Sequence, residues 1–194
     1  MRKKQLPIIT NHLYYLVMNQ ITLITGGARS GKSSFAVETA LKSKNRVFVA
    51  TAIAFDQGMQ QRIDAHKRER AEKFTTIEEP YDLAKVFAQI PDNTDTVLID
   101  CMTVWIGNLM YRHGDNCDTF ANFTEIDEFL EKLKELPYNL LIVTNEVGNG
   151  IVPENKMARD FRDIAGRLNQ QIATIADNVV LTVCGIPTAI KGSL

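Results

Sequence analysis

Short apolar runs rich in β-branched residues alternate along this chain with longer segments whose apolar residues recur every three or four positions. Ile21-Thr22-Leu23-Ile24-Thr25 predicts a strand, and residues 33–41 predict a helix whose apolar stripe is Phe35, Ala36, Ala40 and Leu41. Arg46-Val47-Phe48-Val49-Ala50 predicts a second strand, followed by a highly charged helix over 59–73. A short strand over 74–77 and a helix over 81–90, entered after Pro80, come next. Thr96-Val97-Leu98-Ile99-Asp100 predicts a buried strand, and 102–112 a helix with Trp105, Leu109 and Met110 on its apolar face. The polar stretch 113–123 predicts a loop, and 126–136 a helix stopped by Pro137. Leu140-Leu141-Ile142-Val143-Thr144 predicts another strand, 148–153 a loop, 156–176 a long helix and 179–183 a last strand.

Apolar strands without clear alternation, separated by helices, predict a parallel sheet covered on both faces. The expected architecture is α/β: one open, doubly wound, mostly parallel sheet over residues 18–194, with no internal repeat. Ligands of such folds bind beyond the carboxyl ends of the strands, so the residues just after each strand matter most. The 194 residues suit one domain of this kind. Residues 1–17 read as an N-terminal extension, with Met18 as an alternative start. Met1-Arg2-Lys3-Lys4 and Leu13-Tyr14-Tyr15-Leu16-Val17 have some signal-peptide character, but Asn11 and His12 interrupt it and no small-residue cleavage site follows.

A formal net charge of -1 argues against a nucleic-acid partner, since no basic excess is present to neutralise a phosphate backbone. No apolar run approaches the roughly 20 residues that span a bilayer. Cys101, Cys117 and Cys184 are far apart and odd in number, which argues against a disulfide framework or a thiolate metal site. They read as small hydrophobes in a reducing compartment, and a cytoplasmic location is expected.

The chemistry starts at Gly26-Gly27-Ala28-Arg29-Ser30-Gly31-Lys32-Ser33, which has P-loop spacing and lies between a strand and a helix. Glycines allow the backbone to curl its N–H groups into an anion nest, and the positive end of the following helix adds to it. Lys32 is expected on the β- and γ-phosphates, and the Ser33 hydroxyl on magnesium. The doubly wound sheet is therefore expected to be of P-loop NTPase type. Asp100, ending a buried strand, fits a magnesium-holding acid or an N-cap for the helix that follows. In the charged segment, Arg62, His66 and Arg70 are four apart and share one helical face. Flanking guanidinium groups disfavour a protonated imidazole, leaving a nucleophilic nitrogen for transfer of a phosphorus group. The same spacing also fits a solvated face on which His66 has no role.

Further segments resemble a known family. They are Thr25 with the P-loop, Ala50-Thr51-Ala52, Arg62-Ile63-x-x-His66-Lys67-x-x-Arg70 and Thr76-Ile77-Glu78-Glu79-Pro80. Asp100-Cys101-Met102-Thr103 with Trp105 and Asn108-Leu109 follow, then Thr144-Asn145-Glu146-Val147-Gly148-x-Gly150-Ile151-Val152-Pro153-Glu154-Asn155. The likeness continues through Ala158-Arg159-x-Phe161-Arg162-Asp163 to Gly166-Arg167-x-Asn169-Gln170. Over about Met18 to Lys191 the chain resembles the bifunctional adenosylcobinamide kinase / adenosylcobinamide-phosphate guanylyltransferase of cobalamin biosynthesis.

That resemblance implies phosphorylation of adenosylcobinamide on its aminopropanol hydroxyl, then transfer of GMP from GTP to the phosphate through a covalent histidine. His66 stands at the matching position. Gly26, Gly27, Ala28, Arg29, Ser30, Gly31, Lys32 and Ser33 are implied to bind nucleotide phosphates. Thr51, Ala52, Ile53, Lys67, Arg68, Glu69, Arg70, Glu78 and Asp100 fall where the family contacts guanine nucleotide. Magnesium, GTP and ATP are the implied cofactor and substrates, and a homotrimer is the implied assembly. Asn145 and Glu146 fit either the site or a cap for the following loop. Two other readings are a kinase of another small alcohol, with His66 structural, and a GTP-binding switch. Against the switch, the place where such proteins commonly carry Asn-Lys-x-Asp reads Asn145-Glu146-Val147-Gly148.

Overall fold

Strands that are apolar on both faces need cover on both sides, and the fold supplies it with one sheet between two helical layers. The computed structural model describes residues 19–54, 57–58, 60–61, 67–68, 72–114, 123–134 and 136–194. In chain order the elements are β1 (Ile21–Thr25), α1 (Lys32–Ala40), β2 (Arg46–Ala50), β3 (Thr75–Glu78) and α2 (Leu83–Val86). There follow β4 (Thr96–Asp100), α3 (Met102–His113), α4 (Thr124–Lys132), β5 (Asn139–Val143), α5 (Lys156–Ile175), β6 (Asn178–Val183) and β7 (Ile186–Lys191). The sheet order is β3-β2-β4-β5-β1-β6-β7. All neighbouring strands are parallel except β6 and β7. The expected charged helix over 59–73 falls mostly outside the described residues.

Successive residues of each central strand serve different layers. Val97 and Ile99 join Leu23, Val49, Leu140 and Ile142 against Met102, Trp105, Phe129 and Leu168. Leu98 joins Ile24, Phe48 and Leu141 against Ala36 and Ala40 of α1. Small residues on the inner side of α1 let that helix sit close to the sheet, directly after the loop that feeds it.

The largest buried side chain is Trp105, fully enclosed with its ring centroid 5.4 Å from that of Phe129. Its Nε1–H donates to the Tyr81 carbonyl at 2.6 Å. Trp105→Ala is expected to cost about 3–5 kcal/mol, from the cavity it opens and from the carbonyl left without a partner. Urea unfolding should show this as a lower midpoint with an unchanged slope.

Three expectations are corrected. The helix expected over 81–90 is only Leu83–Val86. The Glu79 carboxylate accepts from the backbone N–H of Tyr81 and Asp82, forming a turn there, while the Tyr81 carbonyl is taken by Trp105. The helix expected over 126–136 is Thr124–Lys132, starting earlier with Glu125 and Asp127 in its positive first turn and ending before Pro137 is reached. The strand at 178–183 is not the last. A two-residue turn, Cys184-Gly185, with φ of 51° and 80°, folds the chain into β7, antiparallel to β6. Both turn residues in the left-handed region give the primed hairpin turn that matches strand twist. Pro187 is tolerated because β7 is an edge strand.

Candidate active site

The loop between β1 and α1 is shaped by contacts that only a glycine at 26 permits. Gly26 has φ of 151°, and a Cβ there would lie 2.3 Å from the Thr182 carbonyl oxygen and 2.7 Å from Ser30 Oγ. The hairpin after β6 also braces the loop, with Gly185 N–H donating to the Ser30 carbonyl at 2.8 Å. Gly26→Ala is expected to destabilise the protein by about 2–4 kcal/mol, since a backbone carbonyl cannot step aside. Nucleotide affinity should fall with it, read by thermal unfolding with and without GTP.

Gly27, Ala28 and Arg29 are exposed along the loop, while Ser30 is buried. Lys32 is 7% exposed, and its Nζ donates to the Gly27 carbonyl at 2.7 Å. Burial lowers its pKa, partly opposed by the neighbouring Cys101 and Asp100. A desolvated ammonium held against the loop is a strong electrostatic partner for phosphate oxygens.

Beside the loop, at the carboxyl ends of β2, β3 and β4, lies a cleft of about 520 Å³. It is lined by five of the residues expected in the site: Ser33, Ala52, Lys67, Glu78 and Asp100. Lys67 Nζ is 2.5 Å from Glu78 Oε1, so two expected nucleotide contacts form an ion pair on the rim. Arg68 is exposed. Thr51 is buried, and its hydroxyl donates to the Cys101 carbonyl and accepts from the Cys101 N–H, both at 2.9 Å. Ile53 is half-buried just after β2. His66, Glu69 and Arg70 lie outside the described residues.

Asp100 is half-buried at the end of β4. The capping alternative fails, because the N-cap position of α3 is Cys101 and not Asp100. Asp100 and the exposed Ser33 hydroxyl supply hard oxygen donors to one cleft. That donor set fits magnesium, which takes one or two protein oxygens and completes its octahedron with phosphate oxygens and water. Cys101 also lines the cleft, where burial, and then the Asp100 charge, push its thiol pKa up. It is therefore a neutral thiol and a poor nucleophile.

Sequence reading passed over several residues that belong here. Glu38 and Lys73 line the cleft, from the outer side of α1 and the turn before β3. The hairpin brace at Gly185 had one sequence signal, a glycine between two β-branched runs. Asn108, 1% exposed, donates from Nδ2 to the carbonyls of Thr51 and Pro80 at 2.7 and 3.0 Å, tying the β2 end to the segment after β3. Glu146 is the loop cap: its carboxylate accepts from the N–H groups of Gly148 at 2.6 Å and Asn149 at 3.1 Å. Among the described residues no group of three metal-binding side chains occurs, and no helix is long and apolar enough to cross a membrane.

The family model described as "Cobinamide kinase / cobinamide phosphate guanyltransferase" matches residues 22–190. The chain is 38% identical over 178 residues to the bifunctional adenosylcobalamin biosynthesis protein CobU of Escherichia coli (strain K12), covering 87% of this chain and 98% of that one. It is 40% identical over 172 residues to the bifunctional adenosylcobalamin biosynthesis protein CobP of Pseudomonas aeruginosa, covering 88% and 96%. Among solved structures it resembles an ATPase from the type III secretion system of pathogenic bacteria at 10% identity and a TM-score of 0.53, covering 88% of this chain and 56% of that one. This last likeness is one of fold alone.

Proposed function

Because the chain belongs to the cobinamide kinase / cobinamide phosphate guanyltransferase family, we propose that it phosphorylates adenosylcobinamide and then converts the product to adenosylcobinamide-GDP. The observation that carries this reading is the cleft that brings Ser33, Ala52, Lys67, Glu78 and Asp100 together beside the P-loop.

In the kinase step, the aminopropanol hydroxyl attacks the γ-phosphorus of ATP or GTP, the bond to the bridging oxygen breaks, and ADP or GDP leaves while the hydroxyl proton passes to solvent. Backbone N–H groups of the loop and buried Lys32 hold the phosphates and stabilise the charge that develops on them. Ser33 and Asp100 would hold magnesium, which supplies charge neutralisation on the phosphates.

In the second step, an imidazole nitrogen of His66 attacks the α-phosphorus of GTP, and pyrophosphate leaves. The phosphate oxygen of adenosylcobinamide phosphate then attacks the same phosphorus, breaking the P–N bond and freeing His66. Lys67, the next residue in the chain, lines the cleft. Thr51, Ala52, Ile53, Lys67, Arg68, Glu69, Arg70, Glu78 and Asp100 are the guanine-nucleotide contacts of this reading. Within it Thr51 is buried, with its hydroxyl engaged by Cys101 and its carbonyl by Asn108. Residues 18–194 act as one catalytic domain, in a cytoplasmic homotrimer.

The test is incubation with magnesium and GTP labelled at the α-phosphorus, followed by denaturation and mapping of the label. An acid-labile, base-stable adduct on His66 is expected. A folded protein that binds GTP tightly and takes no label would instead be a P-loop kinase of a small alcohol.

A further inference from the structure

β5 ends between the strand that feeds the P-loop and the strand that ends in Asp100, and the residues after it are bonded to both sides. On the loop side, Glu146 N–H donates to the Gly26 carbonyl at 3.0 Å. On the other side, Asn145 Nδ2 donates to Thr103 Oγ1 at 2.7 Å, and Thr103 Oγ1 lies 3.2 Å from Cys101 Sγ. Helix α5 holds the same residues from below. Thr144 Oγ1 donates to Asn169 Oδ1 at 2.8 Å, and Asn169 Nδ2 donates to the Asn145 carbonyl at 3.3 Å. Thr144 is fully buried and Thr103 is 5% exposed, so these bonds are partly shielded from water, where an unmade partner is costly. Thr51 fixes the Cys101 backbone from the β2 side. Toward β5, the turn from Asp100 to Thr103 is held through Asn145.

We infer that Asn145 is a positioning residue: seated on Thr103, its amide keeps the Asp100 turn in register with the P-loop, so that Asp100 and Ser33 serve one nucleotide-bound magnesium ion. This rests on the reading that the cleft binds magnesium and GTP. A tie that served only the fold would affect nucleotide binding equally with and without the metal.

The experiment measures GTP affinity by calorimetry with and without magnesium, for the wild type and for Asn145→Ala, Thr103→Val, Thr103→Ser and the Asn145→Ala/Thr103→Val pair. Urea unfolding of each variant establishes that it is folded. Affinity without magnesium is expected to change less than about twofold. The gain on adding magnesium is expected to shrink about three- to tenfold in Asn145→Ala and Thr103→Val, the worth of one hydrogen bond. Thr103→Ser keeps the hydroxyl and should keep the gain. The double variant should be no worse than Thr103→Val alone, because that substitution already removes the bond to Asn145. An unchanged gain in folded Asn145→Ala overturns the inference. So do a Thr103→Ser as impaired as Thr103→Val, multiplied effects in the double, or a wild type that shows no gain. If Asn145→Ala does not fold, the two Thr103 variants decide alone. Failure of the guanylyltransferase reading shows separately, as a wild type that takes no α-label yet retains its magnesium gain.

Discussion

His66→Ala is expected to abolish capture of GMP, while phosphorylation of adenosylcobinamide falls far less. The two steps make different demands on the protein. Phosphoryl transfer to a hydroxyl needs positioning and charge stabilisation, which the P-loop, Lys32 and the magnesium donors supply. Guanylyl transfer through a covalent intermediate needs a nucleophile as well, the role this reading gives to His66. Cys101 is held as a neutral thiol by burial, and Ser33 is assigned to the metal. Loss of a covalent nucleophile removes the pathway itself, so residual transfer should be at or below about a thousandth of the wild-type rate. The measurement is paired: α-label retained on denatured protein, and γ-phosphate transferred to adenosylcobinamide by the same preparation. Equal loss of both steps in a folded variant would remove the case for a separate nucleophile at His66.

Lys32→Met should have opposite effects on turnover and on stability. Removing a preorganised charge from the transferring phosphate is expected to lower kcat by about 10²–10³-fold in both steps. The empty protein should nonetheless become more stable. Burial lowers the Lys32 pKa, so the folded protein holds that proton less tightly than the unfolded chain does. Below the folded value the lysine is charged in both states, and its burial costs stability in full. Between the folded value and the ordinary lysine value near 10.4, stability rises with pH as that cost is relieved. Methionine has a similar length and no charge, so the variant should melt higher at neutral pH. A rise of about 2–4 °C corresponds to 1 kcal/mol for a chain of this size. The advantage should fade as pH rises toward 10.5. A variant that melts several degrees lower would show that the bond from Lys32 to the Gly27 carbonyl outweighs the burial cost.

The deviations from sequence reading have a common origin. Residues 81–90 carry a helical pattern, but Glu79 and Trp105, distant or non-periodic in sequence, claim the backbone groups that a longer helix would use. The hairpin at Cys184-Gly185 lacks the usual asparagine or aspartate, and the proline in its second strand reads as a break. Asn108 and Asn145 sit in matched motifs, yet spacing along the chain does not say which carbonyl or hydroxyl each amide meets. Those partners are 57, 28 and 42 residues away.

From the amino-acid sequence alone came the parallel α/β sheet, the phosphate loop, the acid ending β4 and the family. Each rests on local order: runs of apolar residues that must be covered on two faces, and glycines and a lysine whose spacing one turn can satisfy. Only the tertiary structure decided that Ser33, Ala52, Lys67, Glu78 and Asp100 share a cleft, that a hairpin from the far end of the chain braces the P-loop, and that the residues after β5 bond to both that loop and Thr103. Such relations depend on strand order in the sheet, which is set by how the whole chain packs and leaves no periodic trace in any one segment.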